Sequence, residues 1–175
     1  KGGHVLWMIE NAGTPAPKLS IDQCTQLASD FLEKRGIKNM VPTYKQHYNG
    51  VAVINFAGQE GDVIIYPDLV KVKVSMEDGH IIGYEAQNYL MCHTNRKLPK
   101  PEISQEEARE LVSSNLKIQS VRLAVIPTET MGEKLCYEFK GTFGKEKFIV
   151  YINAITGKEE DILKIIDTEN GSLAL

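Results

Sequence analysis

An α+β fold, built from tandem copies of one small unit in which a single helix packs on an antiparallel β-meander, is what this sequence predicts. Two observations carry the prediction. The segment Pro15-Ala16-Pro17-Lys18-Leu19-Ser20-Ile21-Asp22-Gln23 returns 84 residues later as Pro99-Lys100-Pro101-Glu102-Ile103-Ser104-Gln105-Glu106-Glu107. Each copy is then followed by short apolar or alternating runs separated by turn signals, the pattern of strands joined by hairpins. A sheet of that kind with one face covered by a helix is an α+β arrangement.

Taken in order, the first element belongs to an earlier copy. Gly3-His4-Val5-Leu6-Trp7-Met8 resembles Gly79-His80-Ile81-Ile82-Gly83-Tyr84, so residues 1–12 read as the closing strand of a preceding unit whose first hairpin strand is absent. The strand Val5 to Ile9 is therefore expected to present an apolar edge. Such an edge invites a neighbouring copy or a second molecule, including homodimerisation by strand exchange.

The first full copy spans 13–92. Its paired prolines favour a stiff, extended linker, and Ser20 with Gln23 three residues on is a capping box that starts a helix, with Leu19 placed to staple onto Cys24. Ile21, Cys24, Leu27, Ala28, Phe31 and Leu32 recur at helical spacing, and Gly36 supplies a stop. Strand runs follow at Val41 to Tyr48, Val51 to Ala57, Val63 to Tyr66 and Leu69 to Met76. Asn49-Gly50 and Asp78-Gly79 are hairpin turns. Val70, Val72, Val74 and Met76 alternate with Lys71, Lys73 and Ser75, which gives that strand one wet face. The second copy, 93–175, repeats the plan: Ser104 with Glu107 as the box, Ile103 with Ala108 as the staple, and a helix using Ala108, Leu111, Val112 and Leu116. Its strand runs are Val121 to Ile126, Leu135 to Lys140, Phe148 to Asn153 and Asp161 to Ile166. Phe56-Ala57-Gly58 aligns with Phe139-Lys140-Gly141, and Asp78-Gly79 with Thr156-Gly157.

The bulk numbers narrow the function classes. At 175 residues, 42% hydrophobic and 25% charged, the chain has an ordinary globular composition and room for one domain or two small ones. Its 20 basic and 23 acidic residues are scattered, and the net charge of −3 leaves no basic stripe for nucleic acid. Cys24, Cys92 and Cys136 are odd in number and lack a C-x-x-C spacing, so they are expected to be thiols and neither a disulfide framework nor a zinc site. No apolar run approaches the roughly 18 residues that span a bilayer; a soluble piece is expected.

Candidate chemistry is sparse. Cys92-His93 has the residue types of a cysteine nucleophile and its base, yet adjacent residues seldom converge in space, so a structural or linker role is expected. His4, His47, His80 and His93 include no i, i+4 ligand pair; His4 and His80 occupy equivalent positions, which favours a shared role in the hairpin. Glu159-Glu160-Asp161 lacks the spacing of a calcium loop, and Glu106-Glu107 stands in a first helical turn, where carboxylates favour the dipole. Gly58-Gln59-Glu60-Gly61 lies between strands and reads as a turn. Trp7, Tyr44, Tyr48, Tyr66, Tyr84 and Tyr89 are expected mainly in packing; where exposed, they could anchor a protein partner or stack on sugar. No catalytic, cofactor or metal site is assigned.

A capped helix, a meander and a closing hairpin in tandem resemble PepSY domains. Essentially the whole chain is similar to the C-terminal region of the YpeB family of spore germination proteins. The residues that carry the likeness are Gly2-Gly3-His4-Val5-Leu6-Trp7-Met8, Ser104-Gln105-Glu106-Glu107-Ala108, Tyr151-Ile152-Asn153-Ala154-Ile155-Thr156-Gly157-Lys158-Glu159-Glu160 and Glu169-Asn170-Gly171. The resemblance implies a protein held on the outer face of the spore inner membrane by an N-terminal segment outside this sequence. It also implies a non-catalytic role: partnering the cortex-lytic enzyme SleB by stabilising, localising or inhibiting it. Direct binding to peptidoglycan is the alternative. A cortex hydrolase using an acidic pair such as Glu106 and Glu160 is the remaining one, and it needs those carboxyl groups roughly 5–10 Å apart in a cleft.

Overall fold

Ser20 sits in extended backbone (φ −75°, ψ 161°), where its hydroxyl oxygen accepts the Gln23 N–H at 3.2 Å and the Gln23 side-chain oxygen accepts the Ser20 N–H at 2.9 Å. That reciprocal cap starts helix α1 (Ile21–Lys34). Ser104 (φ −73°, ψ 164°) and Glu107 form the same box ahead of a second helix over Gln105–Leu111. The computed structural model describes residues 3–11, 16–130, 132–168 and 171–174. Gly2, Pro15, Glu169 and Asn170, which belong to motifs named above, lie outside the described residues.

The chain divides into two compact units, one of Lys1–Gln59, Pro67–His93 and Thr168–Ser172, the other of Glu60–Tyr66, Thr94–Asp167 and Leu173–Leu175. In the first, strands β1 (Trp7–Ile9), β2 (Met40–Tyr48), β3 (Val51–Glu60), β4 (Val63–Ser75) and β5 (Ile81–Glu85) are ordered β1-β5-β4-β3-β2. Helix α1 and the short α2 (Gln87–Cys92) complete it, and Gly171 pairs with Gln46 of β2. Ile54, Phe56, Val70, Val72, Val74 and Met76 form its core with Cys24, Ala28 and Leu32 of α1. In the second unit, α3 (Gln105–Leu111) accompanies a meander of β6 (Lys117–Pro127), β7 (Glu133–Phe143), β8 (Glu146–Asn153) and β9 (Glu159–Thr168). Ile64 and Ile65 from the first part of β4 pair in parallel with Ala124 and Val125 of β6. Ala108, Val112, Leu135, Tyr137, Phe139, Val150 and Ile152 make that core.

The closing hairpins match bond for bond. In the first unit the Gly79 N–H donates to the Ser75 carbonyl at 2.9 Å, the Ser75 N–H to His80 at 2.8 Å, and the Leu19 N–H before the helix to the Met76 carbonyl at 2.8 Å. In the second, Gly157 donates to Asn153 at 2.9 Å, Asn153 to Lys158 at 2.8 Å, and Ile103 to Ala154 at 3.2 Å. Each hairpin also carries a bulge at the same place, Ile82 on β5 and Glu160 on β9. The turn glycines hold φ of +78° and +73°. A Cβ at Gly79 would stand 2.6 Å from Leu27 Cδ1, and one at Gly157 3.1 Å from Leu111 Cδ1. In both units, then, the hairpin turn tucks beneath the leucine on the second turn of its helix. Gly79→Ala is expected to destabilise by about 2 kcal/mol and Gly157→Ala by about 1 kcal/mol, the difference reflecting the closer leucine. Urea unfolding measures both.

Elsewhere the structure departs from the sequence-based expectations. The runs Val63 to Tyr66 and Leu69 to Met76 are one strand, β4, because the fixed φ of Pro67 suits extended chain. β3 continues to Glu60, so the turn starts at Gly61 (φ +57°), and Gly58 lies within the strand, where a Cβ would meet that of Asp68 at 3.0 Å. α3 stops at Leu111 and Val112 is already extended (φ −78°, ψ 140°), so Leu116 falls beyond the helix. Ser113, Ser114 and Asn115, which compete for backbone hydrogen bonds, follow it. Ser75, expected on the wet face, is buried. The strand expected over Val5 to Ile9 is limited to Trp7–Ile9 and has an antiparallel neighbour, β5, with Met8 opposite Tyr84.

Candidate binding groove on the first unit

Strand register builds the groove. Trp7 stands opposite Glu85, and Glu85 opposite Lys71; Ile9 stands opposite Gly83, and Gly83 opposite Lys73. Residues directly opposite one another share a face, so these six positions form a grid on the face away from α1, while Tyr84 and Val72 point into the core. Trp7 and Ile9 are each 65% exposed. The concavity they line holds about 350 Å³. Glycine at 83 is a spatial requirement, since a Cβ would fall 2.9–3.0 Å from Cβ, Cγ and Cδ of Lys73. The lysine stem thus lies down over β5. Lys71 pairs with Glu85 at 3.2 Å, whereas Lys73 makes no ion pair or hydrogen bond among the described residues. A large exposed aromatic and an unneutralised ammonium lining one concavity can anchor a partner side chain or hold an anionic group.

The strongest electrostatics lie in the second unit. Glu138 on β7 is 1% exposed, yet it accepts from Tyr66 Oη at 2.5 Å, Tyr151 Oη at 3.0 Å and Arg122 Nε at 2.7 Å, with Lys140 Nζ at 3.4 Å. Arg122 Nη2 also donates to Tyr66 Oη at 2.8 Å. Burial alone would raise the Glu138 pKa, but the charges of Lys140 and Arg122 and the hydrogen bonds of Tyr66 and Arg122 hold it below the ordinary value. Burial, with Glu138 beside them, pushes both tyrosine hydroxyls up. The result is a carboxylate kept ionised and fully satisfied. A depressed carboxylate stabilises the fold above its unfolded value and loses that contribution as pH falls through its folded value. Stability is therefore expected to decline below about pH 4, and the decline in Glu138→Gln to be shallower; chemical denaturation across pH 3–7 gives the comparison.

The other residues singled out in the sequence are dispersed. Cys92 ends α2 and His93 caps it, with the imidazole stacked on Tyr89 (ring centroids 4.4 Å, 15° between planes) and Nδ1 2.5 Å from the buried Asp68 carboxylate. The backbone N–H of His93 donates to the Tyr89 carbonyl as the cap, and the ring is held by Asp68 and Tyr89. His80 pairs with Glu10 at 2.9 Å, while His4 and His47 are exposed. Among the described residues no three His, Cys, Asp or Glu side chains cluster as metal ligands. Cys24 and Cys136 are buried, and burial pushes the Cys136 thiol up to about 12. Glu106 and Glu160 do not share a cleft. Glu106 stands in the first turn of α3, on the face where Tyr137 donates to Ile103; Glu160 is held by Lys134 at 2.6 Å and Asn153 at 2.8 Å on the opposite face. Of the aromatics, Tyr84 is buried, Tyr66 and Tyr89 are engaged as described, and Trp7 and Tyr48 are exposed. Asp68, Arg122 and Glu138 were not legible in the sequence, because strand alternation marks two faces without saying that both are covered.

The chain is mostly β with a few helices, and residues 102–163 match the family model described as "Peptidase propeptide and YPEB domain", which makes it a PepSY-containing chain. Residues 1–99 match the model for "YpeB sporulation, PepSY1 and PepSY2 domains", and the chain belongs to the YpeB sporulation protein family. It is 36% identical over 169 residues to a sporulation protein YpeB of Halalkalibacterium halodurans and 33% identical over 171 residues to that of Bacillus subtilis, covering 97% of this chain in each case. It spans 38% of the length of each of those relatives. The solved C-terminal domain of Bacillus megaterium YpeB superposes with a TM-score of 0.83 at 38% identity, over 94% of this chain and 73% of that one. The family is named for sporulation and not for a catalytic activity, and no helix among the described residues is long and apolar enough to cross a membrane.

Proposed function

We propose that this chain is a non-catalytic binding and regulatory region that acts in spore germination by partnering a cortex-lytic hydrolase of the SleB kind. It works on the outer face of the spore inner membrane, as part of a longer protein anchored by its N-terminal segment. Its two units are tandem PepSY repeats, each a helix on a meander, preceded by the closing strand of another repeat. The observation that carries this reading is the pairing of an exposed Trp7–Ile9 edge with ionisable groups that are otherwise committed to the scaffold. Membership of a family named for sporulation supports a role in the spore. Calorimetric titration of a purified SleB-type hydrolase with this chain is expected to show association, weakened about tenfold or more in Trp7→Ala. Absence of any association would contradict the reading.

A second reading is direct binding to peptidoglycan, favoured by the exposed Trp7 and the unpaired Lys73 lining one concavity. Co-sedimentation with purified cortex that requires both residues, with no affinity for the hydrolase, would put it first. β1 has a neighbour on one side only among the described residues, so its outer edge is where a second copy would add. Sedimentation equilibrium reports that dimer.

A further inference from the structure

The helix-bearing face is covered along β5 in the first unit and exposed along β9 in the second, where Leu116 reaches only as far as Gly141 of β7. The last two turns of α1 lie over β5: the Phe31 ring meets Tyr84 edge-on at 5.6 Å, Arg35 sits 4.2 Å above the Phe31 ring, and Tyr84 is 6% exposed. Counted from the turn glycines Gly79 and Gly157, Tyr84 corresponds to Ile162 and Val70 to Phe148. Leu27 and Leu111 correspond in the helices, but α1 continues past Leu27 to Lys34 while α3 ends at Leu111. Nothing of α3 reaches the matching surface. Ile162 is consequently 49% exposed, and Phe148 is half-buried where Val70 is buried.

Register shows that these side chains share the helix-bearing face. Ile162 opposes Val150, a core residue, and Phe148 opposes both Gly141 and Lys164. By the same alternation Phe143, 55% exposed, and Ile166 extend the strip along β7 and β9. Its charges sit at opposite ends: Lys164 and Glu146 neutralise each other, Lys145 in the adjoining turn has no carboxylate partner among the described residues, and Glu159, opposite Ile152 on the same face, lies at the far end beyond Ile162.

We propose that this strip docks an amphipathic helix of a protein partner, seating an aromatic or aliphatic side chain on Ile162 and placing a carboxylate against Lys145. The template is internal, since the same sheet face in the first unit is matched by two turns of helix carrying Phe31 and Leu32. Lys145 at the hairpin end of the strip favours a carboxylate on the helix at that end alone. The inference rests on the reading of the chain as a hydrolase-binding module, and the purified SleB-type hydrolase is the probe.

Hydrogen exchange of the chain with and without the hydrolase, alongside titration of variants, tests it. Expected are amide protection across 143–148 and 160–166, affinity about tenfold weaker in Ile162→Lys and Phe143→Ser, and affinity a few-fold weaker in Lys145→Glu. Both apolar positions are exposed, so neither substitution removes core. Retained affinity in these variants, with protection confined to 5–9 and 81–87, would overturn this inference and leave the Trp7 groove as the interface. No association with the unaltered chain would end both this inference and the reading beneath it. Loss of concentration-dependent self-association in Ile162→Lys, with hydrolase affinity unchanged, would make the occupant a second copy and equally overturn it.

Discussion

Glu138→Ala is expected to destabilise the chain by about 3 kcal/mol. The carboxylate is buried and gathers two tyrosine hydroxyls, a guanidinium and an ammonium. Removing it leaves Arg122 and Lys140 facing each other without their anion, and Tyr66 and Tyr151 without an acceptor. Arg122 keeps 35% of its side chain in solvent, so water screens part of the loss and the lower end of the range for broken buried pairs applies. Tyr151→Phe, which removes one donor and leaves the charges paired, should cost only about 1 kcal/mol. Urea unfolding of the two variants separates these values; a Glu138→Ala loss below about 1 kcal/mol would mean that the network is solvated in the folded chain.

Phe56→Ala and Phe139→Ala should each cost about 3–5 kcal/mol, through lost burial and the cavity left behind. Both rings are fully buried, in the middle of corresponding strands, and each packs in the core beneath its own helix. The prediction is sharper than either number alone, because the units share a plan. Losses that agree to within about 1–2 kcal/mol are expected. A large loss at Phe56 with almost none at Phe139 would mean that the short α3 fails to close the second core.

What the sequence made legible was local. Ser20 with Gln23, Ser104 with Glu107, and the glycines at 79 and 157 carry their geometry within a few residues, so caps and turns could be placed and aligned without knowing the fold. Trp7 could be noticed as the single tryptophan. Its neighbours could not: Glu85 and Lys71 come beside it, and Gly83 and Lys73 beside Ile9, only through the registers of β1, β4 and β5, which are distant in sequence. The extent of α3 was likewise hidden, since Val112 and Leu116 continue an apolar spacing that Ser113, Ser114 and Asn115 do not support as helix. Glu138, between Tyr137 and Phe139, stands where strand alternation alone marks the face turned from the helix. Burial of that face arises from Tyr66 and Tyr151, contributed by other strands.

The central claim is that this chain acts on a cortex hydrolase by binding and performs no turnover itself. Release of reducing ends from purified spore cortex, followed with the chain alone and with a SleB-type hydrolase to which the chain is added stepwise, addresses it most directly. The expected result is no release by the chain alone and a hydrolase rate that changes until the two proteins are equimolar, then no further. Release by the chain alone, or a hydrolase rate indifferent to it at every ratio, would contradict the claim.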